Sequence, residues 1–161
     1  MSMMPAFDFC SFVILLFILA ATYFRRMTRG KTNQFFILIV LVCIFTCLFD
    51  IFSVYLDQYM IPEYQPVQFF SHSMYLFLHN MTPPLYLLYL VAQTDTFHKF
   101  GKGRAELYFM VLPALMYAGV LVANIYTGII FTISDCVYER GIYMNALYLT
   151  AAVWCVTCVI Y

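Results

Sequence analysis

Asp50 lies in the middle of a long apolar run, where a carboxylate is costly and marks either a helix-to-helix contact or a site. Counted in helical steps, Thr46, Asp50, Ser53 and Asp57 fall on one face. A later run carries Gln68, His72, Tyr75 and His79 at the same spacing. If the two runs are antiparallel helices, Asp50 lies about 10 Å below Asp57 and His72 about 9 Å below Pro66, so their depths match. A carboxylate–imidazole pair at that depth would relieve the desolvation that otherwise neutralises the acid. Two roles stay open for Asp50: tying helices together through Ser, Tyr or backbone partners, or forming a proton, ion or ligand site with Ser53, His72, His79 and Asn80. The pairing predicts that Asp50 points into the helix bundle, towards His72, and away from lipid.

The same run continues as Asn80-Met-Thr-Pro-Pro84. Pro83 and Pro84 each delete a backbone donor and crowd the carbonyl four residues back, those of His79 and Asn80. A kink is expected there, with Asn80 and Thr82 serving the freed groups, as a hinge or as a fixed bend. Towards the C-terminus, segments 129–133 and 137–140 flank Ser134-Asp-Cys136, with Gly128 and Gly141 at the ends. This reads as a small hairpin on the outer side, with Asp135, Tyr138 and Arg140 as candidate contacts, or as a tethered loop packed on helix ends.

Several other patterns imitate chemistry. Cys43 and Cys47 are one helical turn apart, and Cys155 and Cys158 form a CxxC inside an apolar run. That setting lacks the loop of a zinc knuckle or redox motif, so these read as small buried hydrophobes. Cys10 and Cys136 both fall on the outer side, within reach of a pairing that nothing requires. His72 and His79 share one segment and His98 lies in a basic loop, so no metal site and no pair of haem ligands is expected. No phosphate loop, hydrolase elbow, zinc-protease motif or catalytic acid pair occurs. No catalytic residue, metal or cofactor is therefore assigned.

The elements that must hold these residues follow from composition. The 161 residues are 65% hydrophobic and 10% charged, with no net charge. A soluble domain has about 25% charged residues, and one of this size could not bury so much apolar surface. Composition excludes an ordinary soluble enzyme, a disordered tail and a nucleic-acid binder, which needs a basic stripe. Five apolar runs are long enough to cross a bilayer: 9–24, 35–56, 67–92, 107–125 and 142–161. The first can lengthen through residues 4–7 across Asp8. No alternating pattern points to a barrel. The expected fold is an all-α, polytopic transmembrane bundle of five spans in a single domain over 1–161.

Loop charge sets the orientation. Seven of the eight Lys and Arg residues lie within 25–34 and 93–106. The positive-inside bias puts those loops in the cytoplasm, the N-terminus and residues 126–141 outside, and the C-terminus inside. The fifth run stops at Tyr161 without a basic flank, which reads as a chain cut short of a further span pair or a soluble domain.

Particular stretches carry a resemblance. They are Arg29-Gly-Lys-Thr-Asn33, Leu48-Phe-Asp-Ile-Phe-Ser-Val-Tyr55, His72-Ser-Met-Tyr-Leu-Phe-Leu-His-Asn80 and Pro84-Leu-Tyr-Leu-Leu-Tyr89. Thr94-Asp-Thr-Phe-His-Lys99, Asn124-Ile-Tyr-Thr-Gly-Ile-Ile-Phe131 and Tyr138-Glu-Arg-Gly141 complete the set. In this order they resemble the N-terminal membrane region of bacterial, mostly Firmicute, GGDEF-domain proteins, the diguanylate cyclases. The region is also similar to the seven-helix sensor of some histidine kinases. The resemblance implies a sensory or anchoring module in the bacterial cytoplasmic membrane, without catalysis of its own. Its cytoplasmic output domain would make cyclic di-GMP as a homodimer. That domain's signature is absent from this chain, so none of its catalytic residues transfers to a position here. The competing reading is a small proton- or solute-coupled transporter using Asp50 and His72. Transporters show broken helices at matching positions of two repeats, and the expected break is confined to the third run.

Overall fold

The computed structural model describes residues 4–24, 30–59, 62–94, 104–135 and 137–160. Arg25, Arg26 and Arg29 lie outside the described residues, as do Asp95, His98, Lys99, Lys102 and Cys136. The five apolar runs form five helices: α1 (Met4–Phe24), α2 (Lys31–Tyr59), α3 (Gln65–Gln93), α4 (Arg104–Thr127) and α5 (Met144–Ile160). A single 3-10 turn, Pro62–Tyr64, joins α2 to α3, and Pro66 in the first turn of α3 needs no amide partner there. Between α4 and α5 lie two short strands, β1 (Phe131–Ser134) and β2 (Val137–Arg140). The chain is thus almost wholly helical. Two stretches, Ala6–Phe24 in α1 and Thr32–Gln58 in α2, are long and apolar enough to cross a membrane. Val111–Thr127 and Met144–Cys158 are shorter apolar helices.

The central helix is α3. It packs along α2, α4 and α5 and touches β1, while α1 packs mainly on α2. Its composition differs from its neighbours because its polar residues are inside. Asn80 and Ser71 are 0% exposed and Gln68 2%. The outer faces of the surrounding helices are apolar: Phe17 of α1 is 72% exposed, Leu115 of α4 65% and Val153 of α5 60%. A closely packed core joins Leu76 and Met81 of α3 to Tyr117 and Leu121 of α4, Phe131 of β1 and Leu147 of α5.

Pro83 and Pro84 sit inside α3, which runs through them without interruption. The side chains expected to serve the freed carbonyls do something else. Asn80 Nδ2 donates to the Leu76 carbonyl at 2.8 Å, and Thr82 Oγ1 to that of Leu78 at 3.2 Å. Both reach back one turn, the natural direction for a short polar side chain on a helix, so the carbonyls of His79 and Asn80 are not their targets. Pro113 lies inside α4, so proline interruption is not confined to the third run.

Candidate functional site

Three contacts fix how α2 and α3 lie against each other. Thr32 Oγ1 reaches the Ala92 carbonyl at 3.4 Å near one end. The rings of Phe36 and Tyr89 meet 6.2 Å apart. At the other end, Gln68 Nε2 donates to Asp57 Oδ1. The expected pair of Asp50 with His72 does not form. His72 Nε2 meets Asp57 Oδ1 at 3.1 Å instead. The reason is geometric. Each side chain leans towards the N-terminus of its own helix, so in these antiparallel helices Asp50 leans away from the α2–α3 turn and His72 towards it, although Ser71 Oγ donates to the Phe49 carbonyl at 3.1 Å. Thr46 and Asp50 stay on one face, but the face serves two places. Ser53 is buried and donates to the Asp50 carbonyl at 2.8 Å, so its hydroxyl belongs to the helix itself.

The first of those places lies between α1, α2, α3 and α5, a cavity of about 490 Å³. From α2 it receives Thr46, Cys47 and Asp50, and from α3 Tyr75, His79 and Thr82. α5 contributes Tyr148, Ala151 and Ala152, whose small alanines leave the space open. α1 contributes Asp8, which shares the lining with Asp50. The Tyr75 and His79 rings stack at 5.7 Å and 27°. Tyr148 meets His79 edge-on at 6.4 Å and 84°. Among the described residues, no Lys or Arg lines this cavity.

Of the sequence-derived candidates, Asp50 and His79 come together here. Asn80 points away from the cavity lining, with 0% exposure and its Oδ1 without a hydrogen-bond partner. Pro83 lines the cavity floor, and its carbonyl accepts from Cys158 Sγ at 3.7 Å. Pro84 is buried elsewhere in α3. Asp8, Tyr75 and Tyr148 were not singled out as a group. Asp8 interrupts an apolar stretch that continues on both of its sides, which is the signal that α1 begins before it. The partnership with α5 has no sequence signal, because it depends on which helices become neighbours.

The second place is the junction of α2, α3 and the hairpin. The strands pair antiparallel with Ser134 opposite Val137, leaving a two-residue turn that opens at Asp135 with φ 51°. An aspartate tolerates that left-handed conformation and suits the first position of a type I′ turn. Asn124 of α4, 1% exposed, holds the start of the hairpin. Its Oδ1 accepts from the amides of Ile130 at 2.7 Å and Phe131 at 3.3 Å, and its Nδ2 donates to the Phe131 carbonyl at 3.0 Å. Gly141 closes the hairpin, and a Cβ there would strike the Ile129 carbonyl oxygen at 2.2 Å. The hairpin lies down on α3. Phe131 meets the Phe69 ring at 4.9 Å, and Tyr138 stacks on His72 at 4.4 Å and 25°. Gln65 Nε2 donates to the Ile133 carbonyl at 2.6 Å. Burial, followed by the nearby Tyr148 phenol, pushes the Tyr138 phenol up to about 12. Asp135 and Arg140 are exposed.

A third space, about 340 Å³ between α3 and α4, is walled by side chains such as Phe69, Phe77 and Leu121 and holds no acid or base. The cysteines Cys10, Cys43, Cys47, Cys155 and Cys158 are free thiols. Among the described residues, no group of three or more His, Cys, Asp or Glu side chains could hold a metal ion. No known family model matches this chain, and no curated protein or solved structure matches it.

Proposed function

We propose that this chain is the membrane-embedded sensory module of a bacterial signal-transduction protein. In this reading all five helices cross the cytoplasmic membrane, with the N-terminus and the hairpin outside and the C-terminus at the cytoplasmic face. The module has no catalytic activity of its own and drives a dimeric cytoplasmic output domain of the diguanylate cyclase type. The observation that carries the reading is an apolar-faced bundle with its polar groups turned inward around one cavity, beside a hairpin clamped to the central helix. Lipid suits the exposed Phe, Leu and Val faces of α1, α4 and α5, whereas water would leave them unsupported. A change in the cavity or under the hairpin acts first on α3, which packs on three other helices. Pro83 and Pro84 then give α3 a place to bend.

The transporter reading needs Asp50 and His72 as successive members of a relay, and His72 is engaged with Asp57. The test joins the chain to a diguanylate cyclase output domain and measures cyclic di-GMP in membranes. Asp50→Asn or Pro84→Ala should change output several-fold while the protein still inserts. Output that ignores both substitutions would refute the sensory reading.

A further inference from the structure

The cavity between α1, α2, α3 and α5 has an unbalanced charge. Two acids, Asp8 and Asp50, line it together. No Lys or Arg among the described residues lines the cavity to offset them. Ionised acids in an apolar bundle are costly unless they take up protons or meet a cation. The remaining walls specify that partner. The phenols of Tyr75 and Tyr148 border the cavity around His79, and aromatic faces attract organic cations. Ala151 and Ala152 supply an apolar wall for a hydrocarbon body. The volume of about 490 Å³ falls within the range of about 300–1,000 Å³ seen for small-molecule pockets. It is generous for a bare metal ion, and the lining has too few strong ligands to coordinate one.

We infer that this cavity binds a small organic cation, a protonated amine with an apolar or aromatic body, through Asp8, Asp50, Tyr75 and Tyr148. The ammonium group sits at the carboxyl pair and donates hydrogen bonds to it. The body lies along the α5 wall. α1 packs on α2 and α5 on α3, with little contact between α1 and α5 themselves, so an amphipathic amine can enter between those two helices. The inference rests on the sensory reading of this cavity and names the chemical class of its signal.

The test uses the purified full chain in detergent at neutral pH, with three probes of similar shape. They are 2-phenylethylamine as the cation, 2-phenylethanol as the neutral analogue and phenylacetate as the anion. Only the amine should raise the melting temperature saturably, because a ligand stabilises the state that binds it. Asp50→Asn should weaken amine binding at least tenfold, and Asp8→Asn should weaken it too. His72→Gln lies outside the cavity and should leave binding unchanged. If the Asp50 variant does not fold, Ala151→Phe fills the cavity without touching the charge and should abolish the amine effect. Equal shifts with amine and alcohol, retained binding in Ala151→Phe, or no shift with the amine would each overturn the inference. Amine binding that survives while the fused output domain never responds would instead overturn the sensory reading and leave the site standing.

Discussion

Tyr138 carries its ring against His72 and its phenol in a partly buried position, and both properties can be read by titration. Burial, with a contribution from the neighbouring Tyr148, moves its phenol from the usual 10 up to about 12. The folded state therefore holds the proton after the unfolded chain has released it. The stabilisation is complete below pH 10 and is lost as pH rises from there through about 12. The expected outcome is a fall in melting temperature across that window that is smaller in Tyr138→Phe. Phenolate absorbance should lose a late-titrating tyrosine in the variant. An identical fall with pH in wild type and variant would place the effect elsewhere. The two histidines of α3 differ in the same local way. His72 has a carboxylate at 3.1 Å and a stacked phenol, while His79 has only aromatic neighbours in the contacts described. A spacing of seven residues puts both on one face but cannot reveal which neighbour each will meet.

The hairpin depends on one side chain of another element. Asn124 satisfies two amides and one carbonyl at a buried turn, so Asn124→Ala should cost about 1–3 kcal/mol by leaving them unpaired. Thermal melts should show that loss, and limited proteolysis should cut near 134–136 in the variant before wild type. Thr132→Ala, on the exposed side of β1, should change neither readout. The hairpin itself was legible in sequence because Gly128, Asp135 and Gly141 mark positions that other residues fill poorly. The anchor was not, since an asparagine at the end of an apolar run resembles any helix terminus. The five helices were legible from apolar length alone. Their antiparallel register was legible as well, since Ser71 meets the Phe49 carbonyl at the depth counted for Asp50 and His72. What redirected His72 from Asp50 to Asp57 was the lean of each side chain towards the N-terminus of its own helix. The cavity needed α1 and α5 placed beside the α2–α3 pair, which no linear pattern encodes.

The proposed topology is a property of the whole chain and can be tested as one. In a background without native cysteines, Gly30→Cys should resist a membrane-impermeant thiol reagent added outside, and Asp135→Cys should react. Labelling at position 30 from outside would reverse or refute the orientation. The arrangement of polar residues in α3 has a further consequence, for how the chain is assembled. α1 and α2 contain stretches apolar enough to enter a bilayer unaided, but α3 carries Gln68, His72, His79 and Asn80 along its length. A lone helix with that load is a poor passenger at the insertion machinery, where each polar side chain weighs against partition into lipid. α3 should therefore leave the translocon together with α2, joined by the 3-10 turn and by the contacts of Asp57 with Gln68 and His72. Asp57 would then act during biogenesis, as the clasp that lets a polar helix enter the membrane as half of a pair.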